Sequence, residues 1–379
     1  MKSGCSKQDE ECLRVLHTGL TSNHGGVESF VLNYAKTLKK NSVTFDYVDL
    51  QGNGLAEASW ILSEGSEIHT MKDYRRYPLL ALKRMKEIVE NGNYTCVHVN
   101  MLSAASLVPA VGAMMGGARV LVHSHNSQTI GIHRKVLHWF NRTILGCLPV
   151  TRLACGNMAG DWMFGRKRYE VIPNAIDTEL FRFRIDNRER LRFELNIGMD
   201  TVVLGFVGRI SPQKNPVYLV NILNALRLSG LENIKLLIIG DGELREQVMK
   251  KAEDLGIAED IIFSGSQKNV NEWYSAMDVL LLPSLWEGLP LVGVEAQAAG
   301  LPCFLSDQIT EEIAMTDLVH FCKLTETADN WAEAILNSRV ENKDRCAYAD
   351  VMSQTNYSID RSSARLYEIY CSVGGEGKE

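Results

Sequence analysis

The chain has 379 residues, of which 45% are apolar and 23% are charged, which is typical of a globular protein rather than a disordered or fibrous one. This length predicts two domains, because single cores stop growing beyond about 250–300 residues. No apolar run approaches the roughly 20 residues of a membrane span, and the first twelve residues are too polar for a signal sequence. Nine scattered cysteines without C-x-x-C spacing favour reduced thiols, so we expect a cytoplasmic protein without a disulfide scaffold or zinc site.

The net charge of −6 is unevenly distributed along the chain. Residues 1–195 contain 25 lysines and arginines against 19 acidic residues, whereas residues 196–379 contain 15 against 27. The first half is therefore basic and the second half acidic. A basic half suits an anionic membrane surface or a phosphate-bearing acceptor, whereas a nucleic-acid-binding protein usually has a stronger basic excess. No nucleic-acid partner is expected.

In chain order, the first predicted strand covers residues 13–20 and is followed by a glycine pair. Gly25 and Gly26 precede a predicted helix, where small residues allow a ligand to approach the backbone and the helix amides face an anion. The same turn would suit a nicotinamide dinucleotide, but the G-x-G-x-x-G spacing of that cofactor's binding loop is missing.

Two basic segments of the first half, residues 74–90 and 133–145, have the apolar pattern of helices. Each is interpreted either as a helix that rests on anionic lipid or as a surface helix with a solvated basic face. The apolar stripe predicted for the first segment consists of Leu79, Leu82, Met85 and Val89.

A strand predicted at residues 119–122 runs into the sequence His-Ser-His-Asn, residues 123–126. His123 is thus placed at the carboxyl end of a strand, where open α/β sheets bind ligands. We interpret it as a polar contact to substrate, with a buried structural histidine as the alternative. Histidine also binds metals, but no carboxylate lies nearby in sequence and no D-x-D motif occurs, so no metal site is predicted. Charged residues 182–194 then suggest a linker.

The second half begins with a strand at residues 201–207, followed by a turn and a helix. Arg209 and Lys214 bracket this turn. Two cations beside a helix N-terminus suit a departing diphosphate, because preorganised positive charge stabilises the charge that develops in the transition state. Solvated loop cations are the alternative.

Residues 278–307 predict a strand, a loop, a helix framed by Pro290 and Gly300, and another strand. Glu287 lies in the loop and Glu295 in the helix. Two carboxylates around a helix N-terminus suit a ligand with a phosphate between two polyhydroxylated rings, such as a sugar nucleotide. The alternative is that both glutamates are solvated loop and helix residues. Alternating strands and helices predict a parallel sheet.

Several motifs occur together and in order over nearly the whole chain, namely VHSHN, VIPNAID, GRISPQKNP, IIGDGELR, FSGSQKNV and LWEGLPLVGVEAQAAGLP. On these motifs the sequence resembles the retaining family-4 glycosyltransferases, in particular the bacterial capsular and exopolysaccharide enzymes. It departs from the family at Ala175, where glycine is usual, and at Cys155-Gly156-Asn157, which replaces a small hydroxylated pattern.

The resemblance implies an α/β protein of the GT-B fold, in which two Rossmann-like domains with parallel sheets face a central cleft. It predicts an acceptor-binding domain at residues 1–183, a linker at 184–200 and a nucleotide-sugar-binding domain at 201–354. Residues 355–379 are predicted to form a helix that returns to the first domain, followed by a disordered tail.

The resemblance also implies a role for each matching position. Arg209 and Lys214 would bind the diphosphate, Glu287 the hydroxyls of the donor sugar, and Glu295 the ribose. His123 would approach the donor sugar. The remaining substrate-binding positions are Gly25 and Gly26 near the diphosphate, Gly265 and Ser266 near the base, and Gly288, Leu289, Leu291 and Val292 near the sugar and phosphates.

The expected activity is retaining, metal-independent transfer of a hexose from a nucleoside diphosphate sugar, UDP-linked by expectation, to a hydroxyl group. No cofactor is expected. The expected acceptor is a lipid-linked glycan or oligosaccharide in polysaccharide biosynthesis, at the inner face of the plasma membrane, with the basic first domain touching anionic lipid. Four alternatives remain, namely a sugar-nucleotide epimerase, a glycan phosphorylase, a nicotinamide oxidoreductase and a non-catalytic nucleotide-sugar-binding protein.

Overall fold

The computed structural model describes residues 13–23, 25–126, 131–338 and 344–375. The chain forms two compact units. The first contains the residues up to Ala175 together with those from Ile359 onward, and the second contains Ile176–Ser358. Each unit is built on its own sheet and is described by itself.

The first unit contains a seven-stranded sheet in which every pairing of neighbouring strands is parallel. Its strands are β1 (Leu13–Thr18), β2 (Val43–Asp49), β3 (Ile68–Thr70), β4 (Cys96–Met101), β5 (Val120–Ser124), β6 (Thr151–Ala154) and β7 (Glu170–Val171). The strand order is β3-β2-β1-β4-β5-β6-β7, so β1 and β4 lie at the centre. The helices up to residue 175 are α1 (Gly26–Leu38), α2 (Ala58–Ser63), α3 (Pro78–Gly92), α4 (Val108–Met115), α5 (Ile132–Cys147) and α6 (Asn157–Phe164).

The second unit contains a six-stranded parallel sheet with the order β10-β9-β8-β11-β12-β13. Its strands are β8 (Val202–Val207), β9 (Ile234–Ile239), β10 (Ile261–Gly265), β11 (Val279–Leu282), β12 (Cys303–Ser306) and β13 (Val319–Cys322). The helices are α7 (Ile185–Glu194), α8 (Pro216–Leu228), α9 (Arg245–Asp254), α10 (Val270–Trp273), α11 (Leu291–Ala298), α12 (Ala328–Ser338) and α13 (Ala347–Ser353). A last helix, α14 (Ile359–Gly375), belongs to the first unit.

Burial explains why these segments are strands. Every residue of β8 and β11 is buried, as expected for strands covered by helices on both faces of a parallel sheet. In β1, successive side chains enter different cores: Val15 packs with Leu366 and Tyr370 of α14, whereas Leu16 packs in the core on the other face. The predicted α/β fold class with two Rossmann-like units is confirmed.

The segment predicted as a linker, residues 184–200, contains helix α7 in the second unit. Arg192, one of the charged residues that suggested a linker, has hydrogen-bond partners within the second unit. Arg192 is fully buried, and its guanidinium donates to Asp278 Oδ2 at 2.7 Å and to the Thr201 carbonyl at 2.8 Å. Burial lowers the pKa of Arg192, and the nearby Asp278 opposes that shift.

Helix α3 differs from its predicted apolar stripe. It begins at Pro78, and its buried face consists of Ala81, Met85, Ile88 and Val89. The prediction is therefore correct for Met85 and Val89 but wrong for Leu79, which lies in the first turn and is 80% exposed. None of the helices within the described ranges is long and apolar enough to cross a membrane.

Candidate active site

The strand order of the second unit creates a site where its two central strands end. β8 and β11 are neighbours; β9 and β10 continue the sheet on one side, and β12 and β13 continue it on the other. Such a reversal leaves a crevice at the carboxyl ends of the strands, where α/β sheets bind ligands. The loops that follow β8 and β11 meet at this point.

Lys214 and Glu287 form a partly buried ion pair across these two loops. Lys214 ends a short 3-10 turn, Pro212–Lys214, and its Nζ contacts Glu287 Oε1. The same oxygen accepts a 3.0 Å hydrogen bond from Ser284 Oγ. The Glu287 side chain is 9% exposed and that of Lys214 is 18% exposed. The pair holds an ammonium beside a carboxylate, groups that bind phosphate oxygens and sugar hydroxyls, respectively.

Gln213 connects the same two loops through its backbone and its side chain. Its carbonyl accepts a 2.8 Å hydrogen bond from the Leu285 amide, and its Nε2 donates to the Trp286 carbonyl at 2.9 Å. The position of Glu287 is thus fixed by backbone contacts on the preceding residues as well as by its ion pair.

Arg209 lies apart from this pair. Its guanidinium is 73% exposed and donates to Glu243 Oε2, from Nη2 at 3.1 Å and from Nε at 3.3 Å. The structure brings Lys214 and Glu287 together but leaves Arg209 with a different partner. An exposed arginine can change partners at little cost, so a diphosphate can compete with Glu243 for it.

Glycines hold the loops after β8, β9 and β10 against one another. The Gly208 amide donates to the Ile239 carbonyl and the Gly240 amide to the Gly265 carbonyl, each at 2.9 Å. A Cβ atom on Gly240 would lie 2.0 Å from the Gly208 carbonyl oxygen, and its φ of +130° also favours glycine. In the sequence Gly240 belongs to the motif IIGDGELR, in which no site residue was predicted.

Gly265 and Ser266 follow at the end of β10, where the resemblance places the base. Gly265 has a φ of +68° with open space around its Cβ position, so backbone conformation rather than crowding favours glycine. Ser266 is exposed and lies next to this turn.

The backbone from Gly288 to Val292 leads into α11. A Cβ atom on Gly288 would meet open space, and Leu289 is partly buried. Pro290 precedes the helix, which begins at Leu291 rather than at the proline. The first amides of a helix have no partner within it, so Leu291 and Val292 present N–H groups to an anion.

Glu295 lies one turn into α11 and is held by Tyr274. The Tyr274 hydroxyl donates to Glu295 Oε2 at 2.6 Å. Burial raises the pKa of Glu295 to about 6, and the hydrogen bond from Tyr274 opposes this shift. A carboxylate fixed in this way keeps a second oxygen that can accept from ribose hydroxyls.

Gly25 and Gly26 stand at the start of α1 in the first unit. Gly25 is the residue before the helix, and Gly26 is its first residue. A Cβ atom on Gly26 would lie 3.5 Å from Asn174 Nδ2. Glu28 in the first turn is buried and accepts hydrogen bonds from the Thr21 amide at 2.8 Å and hydroxyl at 3.0 Å, which fixes the loop before the helix.

His123 lies within β5 because this strand continues to Ser124, two residues beyond its predicted end. It is fully buried, and its Nδ1 lies 3.2 Å from His98 Nε2. Burial and the neighbouring His125 lower the pKa of His123 well below its usual value. His125, the first residue after the strand, is partly exposed. Its side chain therefore stands at the carboxyl end of the sheet, where His123 was predicted to be.

Three residues of this region were missed as site candidates, namely Asn100, His125 and Asn174. The signal for His125 was present in the sequence, since residues two apart in a strand share a face. Its role depends on where β5 ends, and strand ends are poorly defined by a sequence pattern. Asn100 Oδ1 lies 2.8 Å from His125 Nε2, and Asn174 Nδ2 lies 3.5 Å from the Cβ position of Gly26. These contacts join distant segments, so a local sequence pattern could not indicate them.

Within the part of the chain that the structure describes, no group of three or more His, Cys, Asp or Glu residues is arranged to hold a metal ion.

A parallel sheet with a lysine–glutamate pair, glycine-rich loops and a helix N-terminus at its switch point is typical of α/β proteins that bind phosphate-bearing ligands. Comparisons with known proteins identify the class. Residues 24–180 match Glycosyltransferase Family 4, and residues 187–347 match Glycosyl transferases group 1. The chain is 32% identical to the glycosyltransferase EpsF of Bacillus subtilis over 372 residues, which cover 94% of this chain and 96% of that protein.

One further sequence relative and one solved structure are also similar to this chain. An Escherichia coli UDP-Gal:alpha-D-GlcNAc-diphosphoundecaprenol alpha-1,3-galactosyltransferase is 26% identical over 327 residues, 81% of each chain. The solved structure of Anabaena Alr3699/HepE in complex with UDP has a TM-score of 0.77 at 16% identity and covers 95% of this chain and 100% of that one. The chain belongs to the family-4 glycosyltransferases, and the predicted family and GT-B fold are confirmed.

Proposed function

We propose that this glycosyltransferase moves a hexose from a UDP-sugar to a hydroxyl group of a lipid-linked glycan, with retention of configuration, in exopolysaccharide or capsule biosynthesis. The observation that carries the proposal is the Lys214–Glu287 pair at the switch point of the second unit. A sugar nucleotide presents a diphosphate, which a lysine can bind, next to sugar hydroxyls, which a glutamate can bind. The E. coli relative uses UDP-galactose and a diphosphoundecaprenol-linked acceptor, which supports this choice of donor and acceptor.

In this proposal the groups around the Lys214–Glu287 pair also bind the donor. Lys214 has three N–H donors, so it can keep Glu287 and still donate to a phosphate oxygen. Arg209 would leave the exposed Glu243 and bind the diphosphate together with Lys214. The amides at the start of α11 would add donors without a change in conformation, and Glu295 would hold the ribose. These contacts oppose charge that grows as the sugar–phosphate bond breaks.

We propose a front-face mechanism, in which the leaving diphosphate deprotonates the acceptor hydroxyl on the face from which it departs. Attack and departure on one face retain the anomeric configuration without a covalent glycosyl-enzyme. The proposal needs no metal ion or cofactor, because Arg209, Lys214 and the helix amides supply positive charge to the diphosphate.

A membrane-facing role for the first unit is supported by helix α5. Only one side of a surface helix is expected to be apolar, and that side normally faces the core. In α5 the buried residues are His138 and Leu145, whereas the exposed apolar residues are Ile132, Val136, Leu137, Trp139, Phe140 and Ile144. The helix contains three lysines and arginines and no acidic residue. An outward apolar face with basic flanks suits insertion at the surface of an anionic bilayer.

Helix α3 fits this role less well. Lys83, Arg84 and Lys86 all lie within 4.0 Å of glutamates on the same helix, which reduces its net positive charge. We therefore propose that the protein works at the inner face of the plasma membrane, with α5 as the contact with lipid.

Thermal-shift measurements against UDP-, GDP-, ADP- and CMP-sugars test the proposed function. A bound donor stabilises the protein by about 2.7 kcal/mol at a hundred times its Kd, so the true donor should be distinguished from the others. The proposal predicts one stabilising UDP-sugar that is slowly hydrolysed without acceptor and transferred to a lipid-linked acceptor as the retained anomer. Stabilisation without hydrolysis or transfer would instead indicate a nucleotide-sugar-binding protein.

A further inference from the structure

A cavity of about 530 Å³ lies at the amino ends of β5 and β6 in the first unit. Its volume is within the range of small-molecule sites, about 300–1,000 Å³. Arg119 directly precedes β5 and Arg152 is the second residue of β6, so both stand where these strands begin. The loops assigned to the donor follow the opposite, carboxyl ends of strands. The cavity is therefore separate from the candidate active site.

The wall of the cavity is largely aliphatic and carries two guanidinium groups. Its apolar side chains come from the ends of α4, α5 and α14 and from the starts of the two strands, and include Met114, Val120, Leu148, Pro149, Val150 and Val373. Arg119 and Arg152 supply the charge, and none of the described residues that line the cavity is acidic. The lining thus has two positive charges and no carboxylate to balance them.

Part of this charge stabilises the fold. Arg119 Nη1 donates to the Val373 carbonyl, near the end of α14. Arg152 Nη2 donates to the Leu148 carbonyl at 3.1 Å and to the Gly146 carbonyl at 3.3 Å, at the end of α5. Cations at helix C-termini stabilise the carbonyls that have no partner within the helix. This structural role accounts for Nη2 of Arg152 but not for its Nε.

Arg152 Nε is a donor that the fold leaves unused. The atom is inaccessible to solvent and has no hydrogen-bond partner within the described parts of the chain. Buried N–H groups normally have an acceptor, because an unpaired one loses its hydrogen bonds to water without replacement. Val150, just before β6, packs in the core, and residues two apart in a strand share a face. Arg152 is therefore a guanidinium on a face that packs apolar side chains, and a ligand oxygen in the cavity would supply the missing acceptor.

We propose that this cavity binds the phosphate group of an amphiphile, with the phosphate at Arg119 and Arg152 and an apolar part against the aliphatic wall. A planar guanidinium donates two parallel hydrogen bonds to phosphate oxygens, and its positive charge balances that of the phosphate. The phosphate belongs either to a bilayer phospholipid or to a small phosphate ester in solution. A lipid is one of the two sources because α5, the helix proposed to contact lipid, ends at Cys147, next to Leu148 of the wall.

The Arg152 Nε–H group can be observed directly by ¹H–¹⁵N NMR of the full chain labelled with ¹⁵N-arginine. Arg152→Lys, which keeps the charge, assigns the signal. The probes are dihexanoyl phosphatidylglycerol below its micelle concentration, inorganic phosphate, and chloride at the same ionic strength as a control for screening. The proposal predicts a saturable shift of this signal with both phosphates and none with chloride. The Kd should be about tenfold lower for the amphiphile, a factor that burial of about two methylene groups provides.

No saturable shift with the amphiphile would overturn the proposal. Equal Kd values for the amphiphile and inorganic phosphate would overturn the role of the aliphatic wall.

Two neighbouring methionines of α4 provide a matched pair of variants. Met114 lines the cavity, whereas Met115 is 54% exposed and does not. Met114→Glu places a carboxylate opposite the guanidinium groups, where it competes with phosphate, and should raise the Kd of the amphiphile about tenfold or more. Met115→Glu adds the same charge to the same helix and should leave the Kd unchanged. Equal Kd values for the two variants would contradict the proposal. Arg152→Gln should also weaken binding, and if it does not fold, the methionine pair still decides.

Vesicles distinguish the two sources of the phosphate. If a bilayer lipid occupies the cavity, Met114→Glu should cosediment less with phosphatidylglycerol–phosphatidylcholine vesicles than Met115→Glu does. If a small phosphate ester is the occupant, the two variants should cosediment equally and still differ in their Kd for the soluble amphiphile. Phe140→Glu, which disrupts the lipid contact proposed for α5, should bind the soluble amphiphile as the wild type does. Failure of that contact, or absence of turnover of any UDP-sugar, is thus distinguished from failure of this site.

Discussion

Lys214 and Glu287 are 73 positions apart in sequence, yet their side chains form an ion pair at the ends of two neighbouring strands. Both side chains are largely buried, so each stabilises a charge that would be costly if left alone.

A double-mutant cycle with Lys214→Met and Glu287→Gln should therefore show a coupling of about 1–2 kcal/mol in the free energy of unfolding. Urea unfolding monitored by circular dichroism provides the four values. The pair Lys39–Glu64, whose side chains are 31% and 37% exposed, serves as the control and should couple by less than about 1 kcal/mol. Equal coupling for the two pairs would show that burial adds nothing at the site.

The ribose contact proposed for Glu295 predicts that nucleotide affinity depends on pH. Its pKa is about 6 in the folded protein because of burial, above the roughly 4.3 of an unfolded chain. The folded state thus binds more protons between these values, and the contribution of Glu295 to stability decreases as pH rises from about 4.3 through about 6. In the proposed function Glu295 accepts from ribose as a carboxylate, and this carboxylate becomes protonated as pH falls through about 6, so affinity for UDP-glucose should fall with it.

Isothermal titration with UDP-glucose, whose diphosphate has no ionisation near neutral pH, measures this effect from pH about 5 to about 8, since the Glu295 ionisation lies within that range. Glu295→Gln should remove the acidic limb and weaken UDP-glucose at high pH. Its stability should also lose the pH dependence expected of wild type. An unchanged acidic limb in the variant would assign the titration to another group.

Gly240 should be intolerant of even a methyl group. In Gly240→Ala the new Cβ would lie 2.0 Å from the Gly208 carbonyl oxygen, in addition to the strain of a positive φ. Gly256→Ala is the control, because Gly256 has a φ of +69° but open space around its Cβ position. The control should lose about 1–2 kcal/mol from backbone strain alone, and Gly240→Ala should lose more or fail to fold. Equal losses by urea unfolding would contradict the close packing of these loops.

The lipid contact proposed for α5 predicts a selective effect of its exposed aromatic residues. Phe140→Glu, at a position that is 68% exposed, should weaken cosedimentation with phosphatidylglycerol–phosphatidylcholine vesicles by about tenfold or more. Phe193→Glu on α7, where Phe193 is also largely exposed, should leave it unchanged. Vesicles of phosphatidylcholine alone should bind the wild type weakly. Similar binding of both variants to anionic vesicles would exclude α5 as the contact.

Much of the second unit follows from local sequence pattern. The strand, loop and helix around Glu287 and Glu295 are framed by apolar runs, proline and glycine, and these signals are local. The adjacency of β8 and β11, which brings Lys214 to Glu287, depends on strand order and was not predicted; the family resemblance only placed both residues on the same donor. The partner of Arg209 was not predictable, because Glu243 reaches it from the loop after another strand.

The first unit shows more clearly which features could not be predicted from the sequence. The sequence predicted a histidine at the carboxyl end of β5. The predicted strand ended two residues before the observed one, so the prediction favoured His123 over His125. The many charged residues of α7 suggested an exposed linker rather than a packed helix. The groups that accept hydrogen bonds from the buried Arg192, such as Asp278 and the Ala276 carbonyl, come from other segments, so the sequence pattern did not indicate them. Long-range hydrogen bonds of this kind leave no periodic signal in a sequence.

The most direct test of the central claim compares turnover with donor binding in Lys214→Ala. Because the charge that Lys214 meets grows in the transition state, kcat should fall by about 10²–10³ while the Kd for the UDP-sugar rises much less. Lys235→Ala, at a lysine paired with Asp260 in the same unit, should change neither value. Equal losses in ground-state affinity and in kcat/KM, with kcat retained, would show that Lys214 only binds the donor and would contradict the proposed role.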